Sequence, residues 1–222
     1  MLEALFPHME QILGPDHPDT LTTRNNLAAA YQEAGHLSTA INMYEALLAD
    51  CTRILGPDHP HTLITRRDLA VARLKTGNAP RAMDMLEALF PHMEQILGPD
   101  HPHTLTARIN LAAAYQEAGH LSTAINMYEA LLADCTRILG PDHPYTLGTR
   151  INLAGAHYAA GDLQATIDTY EALLPDLTRV FGPDHPYAHT TRNNLAAARK
   201  KTQQASSPHT DGEAESPPPP ES

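Results

Sequence analysis

The sequence Leu-Gly-Pro-Asp-His-Pro occurs at Leu13–Pro18, and it returns at Leu55–Pro60, Leu97–Pro102 and Leu139–Pro144, with Phe in place of Leu at Phe181–Pro186. Successive copies start 42 residues apart, without a slip. In each copy the glycine can adopt the left-handed conformation that ends a helix, and the first proline keeps that helix from continuing. The second proline suits the first turn of a new helix, where its missing N–H has no hydrogen bond to lose. The sequence therefore predicts a stack of similar helical units joined by this hexapeptide.

Each 42-residue unit contains two segments with apolar residues at helical spacing. In the first unit the pattern predicts helix A at 18–34 and helix B at 37–55, separated by Gly35. No stretch alternates polar and apolar residues as a strand does. The predicted fold class is all-α, a solenoid of about ten helices in antiparallel pairs. The predicted boundaries are a lone helix B at 1–13, complete units at 18–55, 60–97, 102–139 and 144–181, and a lone helix A at 186–201.

Two blocks of the chain, 1–60 and 85–144, are nearly identical. They differ only at Asp19/His103, Thr23/Ala107 and Asn25/Ile109. This near-identity indicates a recent duplication of a two-unit block. Because the chain starts inside a unit, without the polar element that normally opens an array, it is predicted to be a fragment of a longer array.

Residues 202–222 differ in composition from the rest of the chain. They are polar, acidic and rich in Pro and Ser, with no apolar residue larger than Ala. Such a segment cannot bury a core, so it is predicted to be disordered. Pro217–Pro220 could serve as a polyproline ligand, although the flanking residues are acidic and lack the usual Arg or Lys.

The composition argues against several kinds of partner. The formal net charge is −11, with 15 Lys and Arg against 26 Asp and Glu. Nucleic acids and anionic membranes both require clustered basic residues, so neither is expected as a partner. No apolar run approaches the roughly 20 residues of a membrane-spanning helix. Met1–Leu13 has neither a basic start nor a small-residue cleavage site, so it is not a signal peptide, and a cytoplasmic location is predicted.

The two cysteines, Cys51 and Cys135, occupy equivalent positions two units apart. Helices that pack about 8–10 Å apart place these residues well beyond the reach of a disulfide. We therefore predict two buried thiols that act as small hydrophobic residues.

The sequence NLAAAYQEAGHLSTAINMYEALL, at 26–48, resembles the tetratricopeptide repeat. Leu27, Ala28 and Tyr31 in helix A, with Ala40 and Tyr44 in helix B, fall at the spacing of that family. The 42-residue form is similar to the repeats of kinesin light chains, and to those that follow NB-ARC-type nucleotide-binding domains in bacterial signalling proteins. The resemblance covers about residues 1–201. It implies a right-handed superhelix whose A helices line a concave groove that binds peptides or partner domains.

One polar position recurs in every A helix and is a candidate for contact with a peptide. It is occupied by Asn26, Asp68, Asn110, Asn152 and Asn194, with Asn25 beside the first. In the family an Asn at this point often binds the backbone or carboxylate of a peptide, and an amide can both donate and accept. The alternative is that this Asn bonds a neighbouring helix and only fixes the packing of the units.

An arginine recurs two residues earlier. It is found at Arg24, Arg66, Arg108, Arg150 and Arg192. These residues could give the groove a positive rim for acidic peptides. The alternative is that each pairs with an acidic residue of the preceding unit, such as Glu45 or Asp58 in the case of Arg66.

Fourteen histidines invite a metal hypothesis, but zinc needs about four converging ligands and the His pairs lie on successive loops. The histidines of the hexapeptides are better explained as helix-start residues. No metal or cofactor is expected, and the sequence contains no nucleotide-binding, hydrolase or metalloprotease motif.

The sequence therefore predicts a non-enzymatic scaffold that binds a protein or peptide. The alternative is the sensor array of a larger NB-ARC signalling NTPase. Self-association is a further possibility, because the apolar face of the first helix lacks its partner helix. That face consists of Leu2, Leu5, Phe6 and Met9.

Overall fold

The structure is a computed structural model that describes residues 2–206, including the side chains of 6–205. Its helices alternate between the A and B types. They are α1 (Leu2–Leu13), α2 (Pro18–Glu33), α3 (Leu37–Leu55), α4 (Pro60–Lys75), α5 (Ala79–Leu97), α6 (Pro102–Glu117), α7 (Leu121–Leu139), α8 (Pro144–Ala160), α9 (Leu163–Phe181) and α10 (Pro186–Ser206). The even-numbered helices are the A helices. The predicted fold class, a right-handed all-α solenoid of antiparallel pairs, is confirmed.

One predicted boundary is wrong. The last A helix was expected to end at Lys201, but α10 continues to Ser206. The Thr202 hydroxyl donates to the Ala198 carbonyl at 3.1 Å, and the next residues are two glutamines and an alanine, which are good helix formers. Composition alone could not distinguish this last helical turn from the acidic segment after it. The predicted disorder of 207–222 falls outside the described residues.

The histidine of the hexapeptide directly precedes each A helix and bonds to its first turn. Nδ1 of His17 accepts a hydrogen bond from the backbone N–H of Asp19 at 3.2 Å. The equivalent bonds at His59, His101, His143 and His185 measure 3.1–3.2 Å. This side chain satisfies one of the free N–H groups of the first turn, as an N-cap does. The helix-start interpretation of these histidines is therefore confirmed.

Glycines with positive φ separate the helices. Gly35, at φ 83°, follows the end of α2, and the next amide, that of His36, returns to the Tyr31 carbonyl at 2.9 Å. This is the hydrogen bond of a Schellman ending, which reverses the chain and places α3 antiparallel to α2. Gly56, at φ 93°, ends α3 and leads into the next hexapeptide.

The core runs continuously along the array because the B helices α3, α5, α7 and α9 each pack between two A helices. Ala28 of α2 and Leu69 of α4 enclose Tyr44 of α3, which is 1% exposed. A second layer places Leu21 against Leu47 and Cys51. The corresponding layer of the third unit contains Leu105, Leu131 and Cys135. Both thiols are fully buried, as predicted, and burial raises their pKa.

None of the described helices combines the length and the apolar character needed to cross a membrane.

Candidate functional site

The A helices form the inner layer of the solenoid. The A helices α2, α4, α6 and α8 each pack against the B helices on both sides, and α2–α4, α4–α6 and α6–α8 also contact each other directly. B helices show no comparable contact with the next B helix in the described chain. The layer with the closer spacing lies on the inside of the curve, so the A helices line the concave surface. The A helices α8 and α10 pack less closely against each other than α2–α4, α4–α6 and α6–α8 do.

The recurring Asn position differs in environment from one unit to the next. Asn26 is exposed, whereas Asn110 and Asn152 are partly buried, and none of the three makes a side-chain hydrogen bond within residues 6–205. Asn194 donates to the hydroxyl of Tyr170 on α9 at 3.3 Å. Asn194 therefore bonds a neighbouring helix, as the packing alternative predicted for this position. The amides of Asn26, Asn110 and Asn152 keep free hydrogen-bonding capacity within the described residues.

In the first half of the concave surface, a network of polar side chains links the helices α2, α4 and α6. Asp68 accepts hydrogen bonds from Arg67 at 2.6 Å and, across the α2–α4 contact, from Asn25 at 3.0 Å. Nη1 of Arg67 lies 3.2 Å from Nδ1 of His103 on α6. Burial and, after it, the neighbouring Arg67 guanidinium lower the pKa of His103. Asp68 and Asn25 therefore hold the inner layer together in this structure.

The second half of the concave surface contains a mostly apolar pocket of about 350 Å³, here called the Gly148 pocket. It is lined by Ile109, Pro144, Tyr145, Gly148, Ile151, Asn152 and Tyr187. The Thr106 hydroxyl lies 3.2 Å from the Tyr145 hydroxyl and joins α6 to α8 at its edge. The pocket exists because Gly148 has no side chain, whereas the other A helices carry Thr22, Ile64, Thr106 and Thr190 at this position. A Cβ built on Gly148 meets no atom within 4 Å.

A second pocket, of about 200 Å³, lies farther along α8 and α10 and is here called the Gly155 pocket. It is lined by Gly155, Tyr158, Tyr170, Asn194 and Ala197. Gly155 again replaces a residue with a side chain, and the equivalent positions are Ala29, Val71, Ala113 and Ala197. Because Gly148, Asn152 and Gly155 are four and three residues apart, they share one face of α8.

The arginine row does not join the asparagine row. Arg24 lines a cavity between α1 and α3, on the B-helix side of the array. It pairs with Asp50 at 2.7 Å, and the pairs Arg108–Asp134 and Arg150–Asp176 have the same distance. Arg192 instead donates to the Pro183 carbonyl. The expected pairing with the preceding unit is therefore wrong for these pairs, because the contact joins helices A and B of one unit.

A second arginine extends each of these pairs towards the linker. Arg53 lies 3.2 Å from Asp50 and 3.0 Å from Asp16 of the hexapeptide. The same network recurs in the third and fourth units, around Arg137 and Arg179. Each aspartate of the pairs has a lowered pKa, chiefly because of the hydrogen bond from the arginine of helix A and further because of the bond from this second arginine; these aspartates are Asp50, Asp134 and Asp176. The networks fix helix B and the linker to helix A.

The second unit lacks this network. His92 replaces the aspartate and lies 3.4 Å from Asp58, while Gln95 replaces the second arginine. Arg66 therefore has no carboxylate partner among the described residues. Glu45, which was predicted as its partner, is paired with Arg73 instead.

Sequence reasoning identified Asn152 but missed the apolar surroundings that distinguish it. A signal was present, because Gly148 and Gly155 interrupt positions that hold a side chain in the other A helices. Among the described residues, no group of three or more His, Cys, Asp or Glu could hold a metal ion.

Antiparallel helix pairs stacked through a shared inner layer define an α-solenoid repeat protein. A sequence profile of the tetratricopeptide repeat matches residues 20–61, 104–145 and 146–187. The chain belongs to the tetratricopeptide repeat family. Repeats of this family generally mediate binding to proteins or peptides.

Solved structures support the kinesin-light-chain-like type. The putative kinesin light chain of Podosopora anserina, with nearly identical TPR-like repeats, is 28% identical over 85% of this chain and 89% of its own, at a TM-score of 0.70. A variant of that protein with one substitution is 27% identical over the same shares, also at 0.70. BtubC (BKLC) of P. vanneervenii covers 100% of this chain and 99% of its own at a TM-score of 0.71. It is only 15% identical, so it shows the fold alone. No curated protein sequence matches the chain.

Proposed function

We propose that this protein is a non-enzymatic scaffold that binds an extended peptide segment of a partner protein on its concave surface. The Gly148 pocket carries this proposal. It offers an apolar space that a threonine or isoleucine side chain occupies in the other units, next to the free amide of Asn152. The proposed ligand is a peptide with one bulky apolar side chain for the pocket.

The two parts of the site have different roles in this proposal. Ile109, Ile151 and the rings of Tyr145 and Tyr187 remove the ligand side chain from water, which supplies most of the affinity. The Asn152 amide can donate to a carbonyl and accept from an N–H of the ligand backbone, so it orients the peptide without reading its side chains. The polar network around Asp68 leaves little capacity for a ligand in the first half of the surface.

Peptides selected from a random displayed library on the full chain would test the proposal, with dissociation constants measured by fluorescence anisotropy. Gly148→Thr fills the pocket, and Asn152→Ala removes the amide. We expect about fivefold weaker binding for each, since the loss of a hydrogen bond or of an apolar contact costs about 1 kcal/mol.

Asn26→Ala is the matched control, because it removes the same residue type from an equivalent but exposed position. It should bind like the parent chain, and circular dichroism should be unchanged in all three variants. Unaltered binding by both folded pocket variants would place the ligand elsewhere and overturn the proposal.

We also propose self-association through α1, since its last turn leaves Ile12 73% exposed, compared with 44% for the equivalent Ile96 of α5. Sedimentation velocity at increasing concentration should show a dimer, and Ile12→Lys should weaken it. Gln11→Lys, which adds the same charge at an exposed neighbour, is the control. A concentration-independent monomer would exclude association. The alternative role as the sensor array of a signalling NTPase stays a prediction.

A further inference from the structure

The last described helix carries an unusual charge for this acidic protein. From Pro186 to Ser206, α10 contains Arg192, Arg199, Lys200 and Lys201 and no acidic residue, a charge of +4 in a chain of net charge −11. Arg199 is paired with Glu171 at 2.8 Å. Lys200 and Lys201 are exposed and have no carboxylate partner among the described residues.

This basic end adjoins the Gly155 pocket. Nζ of Lys201 lies 4.8 Å from the ring centroid of Tyr158, which forms one wall of the pocket. Tyr170 forms another wall, and the more open α8–α10 step leaves the space between them accessible. A groove lined by aromatic rings, with cations at one end, suits a proline-rich segment that also carries acidic residues.

The chain itself contains such a segment directly after α10. Residues 207–222 carry Asp211, Glu213, Glu215 and Glu221 without a Lys or Arg, a charge of −4, and they include the run Pro217–Pro220. We propose that this segment folds back onto α10, with its prolines in the Gly155 pocket and its carboxylates beside Lys200 and Lys201.

The reach of the chain allows this contact. Along α10, the rise from Ala197 to Ser206 is about 14 Å at the α-helical rise per residue. The ten residues between Ser206 and Pro217 span up to about 35 Å when extended. The segment therefore reaches the pocket with slack. The attachment keeps its local concentration high, so a weak contact is sufficient.

The docked segment covers Asn194 and the end of the groove beyond Asn152, where an extended peptide would continue. It therefore acts as an internal competitor for part of the concave surface. This inference goes beyond the proposed function, and the two can fail separately because they depend on different pockets.

The amide signals of two glycines provide the test, because Gly155 lies in the pocket and Gly212 lies in the segment that is proposed to dock there. The full chain is labelled with ¹⁵N-glycine, and its amide spectrum is compared with that of a full-length variant carrying Pro217→Ser, Pro218→Ser, Pro219→Ser and Pro220→Ser. The Gly155 signal should shift, whereas Gly35 and Gly56, at the other end of the array, should not. A Gly155 signal that is identical in the two proteins overturns the proposal.

The converse variant fills the pocket. Gly155→Val introduces the residue of the second unit into open space, and it should move the Gly212 signal to its position in the proline variant. Gly148→Thr is the matched control, since it fills the other pocket and should leave Gly212 unchanged while it weakens the peptide binding proposed above. A Gly212 signal that ignores Gly155→Val overturns docking in this pocket. Shifts that grow with protein concentration assign the contact to a second copy and overturn the intramolecular form.

Discussion

Nη1 of Arg150 lies 2.7 Å from Oδ2 of Asp176, and this ion pair joins the two helices of the fourth unit. The two residues are 26 positions apart, and the same contact recurs in the first and third units. A repeated contact of this kind fixes the angle between helices A and B, on which the shape of the groove depends.

Breaking this pair should lower stability only modestly. The side chains of Arg150 and Asp176 are 20% and 33% exposed, so solvent screens the pair and Arg150→Met should cost about 1 kcal/mol or less. Urea unfolding of Arg150→Met, Asp176→Asn and the double variant gives the coupling energy. Arg66→Met, which removes an arginine without a carboxylate partner among the described residues, should change stability less. An equal loss there would show that the arginine acts through packing alone.

Stability should fall in two steps as the medium becomes acidic. The pKa values of His61 and His103 are lowered, chiefly by burial, so the unfolded chain takes up protons first. Stability is therefore complete above about pH 6.5 and declines below it. The lowered pKa values of Asp50, Asp134 and Asp176 act at lower pH, where a second loss of stability begins at about pH 4.

Chemical unfolding at a series of pH values measures both steps. His61→Asn with His103→Asn should flatten the upper step and leave the lower one. An upper step of unchanged size in that variant would assign it to other groups.

The glycines of α8 should differ from the linker glycines in their response to substitution. Gly148 is helical and has open space around it, so Gly148→Ala should stabilise the protein by about 0.5–1 kcal/mol. Gly140 has φ 89° and ψ 164°, a conformation that other residues rarely adopt, so Gly140→Ala should destabilise it by about 1–3 kcal/mol. Thermal unfolding of the two variants measures the contrast, and a shift in the same direction for both would contradict it.

The two thiols should be unreactive in the native protein. Cys51 and Cys135 are fully buried, and burial raises their pKa, so little thiolate is present and a reagent cannot reach it. A colorimetric thiol reagent at about pH 8 should detect almost no thiol until denaturant is added, and then two per chain. Rapid reaction of the folded protein would show that the core around these cysteines opens readily.

The sequence by itself determined the helices and their order. The period of 42 residues, the Gly-Pro in each linker and the His-Pro at each helix start act locally, so they could be read without knowledge of the fold. These local signals predicted α3 with its observed bounds, and they predicted correctly that the hexapeptide histidines lie at helix starts. It failed at the end of α10, where the helix continues through residues of neutral composition.

Only the tertiary structure decided which side chains remain free for a ligand. Five equivalent residues, four of them asparagines, looked alike in the sequence, but Asp68 is held by Arg67 while Asn152 stands beside an open pocket. The arginine pairs were also assigned only by the fold, because a partner 26 residues away is set by how helix A lies on helix B. Local chemistry repeats with the sequence, whereas packing between units depends on the residues of three helices at once. The proposed site therefore lies where Gly148 breaks the repeat and the neighbouring helices leave its space unfilled.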